Sequence, residues 1–200
     1  MALRNIITPA DDRLRRAALK VTSFDKTFQQ LVDDLLLTMH AAPGVGLAAP
    51  QVGESLRLFV AHLEHEPAAN KDEDENSDAA AVDAAATTEH AGPSPAAAQP
   101  AAPGVGRVLV MVNPEITRFS EELEVGTEGC LSLPGFAGDV ERPRTITIKY
   151  RDRHNQPHKL HTHGWMARVL QHEYDHLEGV LFIDRALDVW RIETKDPNAA

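Results

Sequence analysis

Gln171-His172-Glu173-Tyr174-Asp175-His176 is the stretch from which the rest of the chain can be read. Gly164-Trp165-Met166-Ala167-Arg168-Val169-Leu170 runs into it, and Leu177-Glu178-Gly179 follows. The spacing predicts one amphipathic helix from Gly164 to about Leu177, with Gly179 placed to end it. Residues four apart on a helix lie one above the other, so His172 and His176 share a face and both imidazoles can reach one ion. Glu173 projects near the same place without joining the pair, where a general base is needed. The alternative is a solvated helix with two chance histidines, in a chain that has 10 of them. A hydrolytic metal site also requires a third protein ligand and an open position. The longer protease pattern places a third histidine shortly after the glycine, but Phe182 stands there.

Cys130 is the next candidate donor, in Glu128-Gly129-Cys130-Leu131-Ser132. A lone cysteine is more often a small buried hydrophobe than a ligand; two histidines short of a partner turn the reading toward a ligand. A thiolate favours Fe²⁺, Zn²⁺, Co²⁺ or Ni²⁺ over Mg²⁺ or Ca²⁺. A third segment, Gly44-Val45-Gly46-Leu47-Ala48-Ala49-Pro50-Gln51, is small where another backbone must come close. Isolated glycines are commonly only turns, yet Gln51 adds an amide able to donate to an oxyanion.

Around these segments the local signals are ordinary. Thr8-Pro9 predicts a capped short turn through Arg15. Ser23 or Asp25 can cap a helix from about Lys26 to Ala41, whose Phe28, Leu31, Val32, Leu35, Leu36 and Met39 follow the helical period. Residues 56–63 and 107–112 read as strands, and residues 145–150 and 158–162 as a hairpin about His154-Asn155-Gln156-Pro157. Strands and a few helices alternate without βαβ regularity, so the expected class is α+β, with antiparallel sheets packed around the C-terminal helix.

The chain reads as one catalytic domain over residues 1–200, interrupted at about 64–105 by an Ala-, Pro- and acid-rich insert. That insert holds nine acidic residues and one lysine, and therefore eight of the 10 net negative charges. With one valine before Val105 and no Leu, Ile or aromatic residue, it cannot bury enough apolar surface to offset its ordering entropy, and disorder is expected. What remains is nearly neutral and has no basic stripe, which argues against DNA or RNA as a partner. The apolar runs are of strand length, too short for a bilayer. One cysteine asks for no oxidising compartment, and neither a signal nor a transit peptide is seen, so a cytoplasmic protein is expected.

Taken in order, Gly44–Gln51, Glu128–Ser132 and Gln171–His176 resemble the three signature motifs of the peptide deformylase family. The likeness extends over most of the chain outside the insert, including residues 9–15 and Asn113-Pro114. The resemblance implies a hydrolase that removes the formyl group from the N-terminal formyl-methionine of nascent proteins. Cys130, His172 and His176 would hold one Fe²⁺, with Zn²⁺, Ni²⁺ or Co²⁺ as substitutes. Glu173 would be the acid–base residue, and the Gln51 amide with the Leu131 backbone N–H would meet the oxyanion. The peptide would add as a strand near Val45, Gly46 and Gly129, its methionine side chain in a pocket built partly by Val45, Met166 and Val169. Gly126 stands where many members of the family carry a larger apolar side chain. The chain also ends without the longer basic C-terminal helix that some members use near the ribosome, so only transient ribosome proximity is expected.

Overall fold

The computed structural model describes residues 1–42, 44–63 and 102–192. Its centre is helix α2 (Gly164–Leu177), buried along nearly its whole length. One face of α2 carries Met166, Ala167, Leu170 and Leu177 into a cluster with Phe59, Ala61, Met111, Ile146 and Ile148. Those partners come from a five-stranded antiparallel sheet in the order β1-β2-β3-β6-β7. Its strands are β1 (Gly46–Ala48), β2 (Leu58–His62), β3 (Val108–Phe119), β6 (Thr145–Arg151) and β7 (Pro157–His163). Helix α1 (Lys26–Ala41), capped by the Asp25 carboxylate on the Phe28 N–H at 3.0 Å, covers the opposite face. There Phe28, Leu31, Val32, Leu35 and Met39 meet Leu47, Leu58, Val60 and Val112. Alternation along β2 explains its unbroken apolar run: Phe59 and Ala61 face α2, Leu58 and Val60 face α1. Each fully buried Leu or Phe among them contributes about 1.5–3 kcal/mol.

A second sheet, β4-β5-β8, packs on the other side of α2. It comprises β4 (Leu123–Gly129), β5 (Phe136–Pro143) and β8 (Ala186–Arg191). These strands have no reading from hydrophobic pattern, and the reason is plain in the packing. Leu123, Val125, Leu187 and Trp190 are exposed, while Glu128 and Arg142 face the helix and are buried. The apolar signal is scrambled because a buried ion pair, Glu128 with Arg142, lies beside buried Ala137 and Val140 while larger apolar side chains face outward.

Three local readings need correction. The short 3-10 turn is Asp12–Arg15 and its cap is Asp11, whose carboxylate accepts the Arg13 N–H at 3.1 Å; Thr8 supplies only its carbonyl, to the Asp11 N–H at 2.9 Å. Strand β3 does not stop at residue 112. It passes a register shift at Asn113-Pro114 and continues to Phe119. Asn113 adopts φ 50°, and its side chain holds both the N–H and the carbonyl of Val21, at 2.9 and 2.8 Å. The insert is also shorter than its composition implies, since Ala102 is buried in the α2 cluster and Val105 packs against it. Residues 64–101, on which the rest of that expectation falls, lie outside the described residues.

The two ends that flank the insert meet directly: the Gly106 N–H donates to the Leu63 carbonyl at 2.7 Å. Replacing residues 66–100 with a short Gly/Asn turn is therefore expected to leave one cooperative unfolding transition. Extending the replacement through Val105 removes Ala102 and Val105 from the core and should lower the thermal midpoint. Thermal unfolding of both variants beside the parent measures the difference.

Candidate active site

The free edges of the two sheets come close together at β1 and β4, with α2 beneath them. A cavity of about 370 Å³ opens there, bounded by Gly44–Gly46, Glu128–Leu131 and the α2 residues Trp165, Arg168, Val169, His172 and Glu173. Among the described residues one group has the donors to hold a metal ion: Cys130, His172 and His176, whose ligand atoms all lie within 4.8 Å of one another. The helix supplies the two imidazoles one turn apart, their ring centroids separated by 5.1 Å. Cys130 follows the last residue of β4 in a turn closed by the Leu133 N–H on the Cys130 carbonyl at 2.9 Å, and its Sγ is 3.3 Å from His176 Nε2.

The surroundings suit a cation. His172 Nδ1 is 2.8 Å from Glu128 Oε2, which turns its other nitrogen toward the cysteine. Burial opposes a positive charge on His172, yet the Cys130 sulfur and the Glu128 carboxylate outweigh it and raise its pKa well above the ordinary value. His176 is shifted the other way, by burial and then by the charge on His172. A soft thiolate with two imidazoles is a donor set for a transition metal. Phe182, standing where the longer protease motif would have its histidine, stacks on the His172 ring with centroids 6.2 Å apart.

Two further groups converge on this point. Gln51 lies in the 3-10 turn Ala49–Val52; its Oε1 accepts the Ala48 N–H at 2.8 Å, so its amide nitrogen must face the site. That nitrogen stands 3.4 Å from Cys130 Sγ and 3.3 Å from the buried Ser132 Oγ. Glu173 is buried, and its Oε2 has no hydrogen-bond partner among the described residues. Burial pushes its pKa up to about 7, so near neutral pH it can both take and return a proton.

Not every sequence candidate falls here. Val45, Gly46, Gly129, Leu131 and Val169 all line the cavity. Met166 does not: it is fully buried against Phe59 and Ile148 in the core. The helical period explains the correction, because Trp165, Arg168, Val169 and His172 share the face turned to the cavity and Met166 sits around the corner from it. Sequence reading gave no role to Glu128, Ser132, Trp165, Phe136 or Ile192. Glu128 was visible inside a motif, but its contact with His172 crosses between elements far apart in sequence.

A cysteine and two histidines within reach of one ion, with a buried carboxylic acid and an amide donor beside them, define a metal-dependent hydrolase. The family model for polypeptide deformylase matches residues 3–191, and the chain belongs to that family. A peptide deformylase of Opitutus terrae is 41% identical over 186 residues, covering 92% of this chain and 85% of its own length. The crystal structure of peptide deformylase from Thermotoga maritima superposes with a TM-score of 0.70 at 32% identity, covering 94% of this chain and all of that one. A Met-Ala-Ser-bound peptide deformylase of Acinetobacter baumannii gives a TM-score of 0.70 at 30% identity, over 92% of this chain and 98% of its own.

Glycine at position 46 has a spatial reason. A Cβ there would stand 2.7 Å from Glu173 Cδ and 2.8 Å from Cγ. Gly46→Ala is expected to retain the fold, displace the Glu173 carboxylate and lower the deformylation rate by about 10²-fold, the usual consequence of a misplacement near 1 Å. Formate release from a formyl-methionyl peptide, with circular dichroism as the folding control, reads the result.

Proposed function

We propose that this chain removes the formyl group from the N-terminal formyl-methionine of nascent proteins, using one divalent metal held by Cys130, His172 and His176. The observation that carries the assignment is the convergence of those three donors within 4.8 Å, beside the buried Glu173 and at the base of an open cavity. Fe²⁺ is the proposed native ion, with Zn²⁺, Ni²⁺ or Co²⁺ able to replace it, because the donor set mixes thiolate and imidazole. When bound, the metal supplies Lewis acidity, acidifying a water and polarising the formyl oxygen.

The chain's own residues do the rest. Glu173 takes the proton of the attacking water at its carboxylate and delivers it to the departing amine. The Gln51 side-chain N–H and the Leu131 backbone N–H meet the oxyanion. The products are formate and a free methionyl N-terminus. The peptide lies between the free edges of β1 and β4, taking main-chain hydrogen bonds near Val45, Gly46 and Gly129, a mode that tolerates many sequences. Val45 and Val169 shape the methionine pocket, to which Leu131, Phe136 and Trp165 add apolar wall. The Met-Ala-Ser-bound relative supports a peptide of this kind in the cleft. No helix among the described residues is long and apolar enough to cross a membrane. We place the enzyme in the cytoplasm, meeting nascent chains transiently near the ribosome, as one catalytic domain.

Two substitutions test the assignment. Glu173→Ala should keep its metal and lose at least about 10²-fold in formate release from formyl-Met-Ala-Ser; near-normal turnover by a fully metallated variant would sink it. Cys130→Ala should lose most of its metal when prepared anaerobically. A variant that still holds one metal per chain as tightly as the parent refutes the ligand role.

A further inference from the structure

Glu128 accepts four hydrogen bonds in the core. Arg142 gives two, Nε to Oε1 at 2.5 Å and Nη2 to Oε2 at 2.9 Å, and His172 faces Oε2 at 2.8 Å. The fourth comes from Arg168 on α2, whose Nη1 donates to Oε1 at 2.9 Å. Arg168 is only 4% exposed; the same Nη1 also faces the carbonyls of Val140 at 2.7 Å and Gly126 at 3.3 Å, and Nη2 donates to the Glu124 carbonyl at 2.6 Å. The guanidinium is thus pinned between α2 and the β4–β5 hairpin. Arg142 is shared with Asp175 at 2.8 Å, whereas Glu128 is the one carboxylate paired with Arg168 among the described residues.

Position 126 makes this arrangement possible. A Cβ on Gly126 would stand 2.8 Å from Arg168 Cζ, 2.9 Å from Nε and 3.0 Å from Nη2. A free arginine tip could swing aside, but this one cannot move without breaking its bonds to Glu128 and to three carbonyls.

We propose that Arg168 is a positioning residue for the metal centre, acting through Glu128 on the His172 ring, and that Gly126 is the space that admits it. The two donors on Oε1, Arg142 from one side and Arg168 from the other, set the carboxylate plane. Oε2 then meets His172 Nδ1 and holds the ring with its other nitrogen toward Cys130. Loss of a group such as Glu128, which bonds a metal ligand directly, typically weakens metal binding about 10–100-fold, and Arg168 acts one step further out, so the low end of that range is expected. The inference rests on Cys130, His172 and His176 as the ligands.

The test uses Co²⁺ as both ligand and reporter, with the purified full-length chain stripped of metal and reloaded. Wild type, Arg168→Met, Gly126→Val and the double variant are compared by chelator competition and by the visible spectrum of the bound Co²⁺. Arg168→Met keeps the bulk of the stem and removes every donor. It should weaken Co²⁺ binding about 10-fold and shift the ligand-field bands. Gly126→Val should do the same by displacing the guanidinium. The double variant should be no worse than Arg168→Met, because valine then fills vacated space. If Arg168→Met does not fold, Gly126→Ala carries the test, since its methyl group alone forces the displacement. A merely structural role lowers the thermal midpoint but leaves the affinity and spectrum of the folded protein unchanged, and that result would overturn the proposal. Additive losses in the double variant would overturn the coupling to Gly126. Failure of wild type to bind Co²⁺ would overturn the ligand assignment itself, and the role of Arg168 with it.

Discussion

A carboxylate with almost no access to water, Glu128, ties the molecule together. Burial alone would raise its pKa, but hydrogen bonds from Arg142 and His172 hold it down at about 2, so it stays charged in the core. Such an ion is tolerable only because its acceptor positions are filled; taking one partner from a buried pair typically costs about 3–5 kcal/mol. The pairing continues from Arg142 to Asp175 on α2, and from Asp175 to Arg185 just before β8 at 2.7 Å. The smaller sheet is therefore fastened to α2 by charge where the larger sheet is fastened by apolar contact.

That division of labour has a functional consequence. Apolar packing on the five-stranded sheet fixes where α2 lies, and the ionic face fixes how His172 turns. Neither face could do both: a wholly apolar interface has no acceptor to orient an imidazole, and a wholly ionic one leaves the helix position to long, many-rotamer side chains. The cleft lies along the boundary between the two regimes, where the free edges of β1 and β4 face each other. Glu173 belongs to that boundary as well. It is buried enough to have its pKa raised, and it is kept beside the ligand cluster by a glycine on the neighbouring strand.

The N-terminal segment completes the enclosure from the other end. The Ile7 N–H donates to the Gln51 carbonyl at 2.8 Å, and the Ala18 N–H to the Leu177 carbonyl at 2.8 Å. The same stretch thus braces the turn that aims the Gln51 amide and the C-terminal end of the helix that carries the histidines. Gly179, at φ 74°, passes so close to the Arg15 carbonyl that a side chain there would have no room.

By itself the sequence determined the elements whose signal is local. The helical period marks α1 and α2, Asp25 and Gly179 mark ends, and the turn His154-Asn155-Gln156-Pro157 marks the β6–β7 hairpin. It also identified His172 and His176 as one face, with Glu173 close by, because residues four apart on a helix lie about one turn apart. Cys130 and Gln51 entered through their chemistry, as the donor that two histidines lacked and as an amide for an oxyanion, and the family likeness then gave them their roles. Only the tertiary structure decided what depends on partners distant in sequence. Strands β4, β5 and β8 were illegible because their buried face is charged, and a buried charge has meaning only beside its counter-ion. Met166 was assigned to the pocket because apolar character does not say which of two apolar environments a residue enters; the rotation of α2 against the five-stranded sheet says it. Arg168 has no role that the sequence alone reveals; the fold gives it one by setting Glu128 against it, over a position where only glycine leaves room.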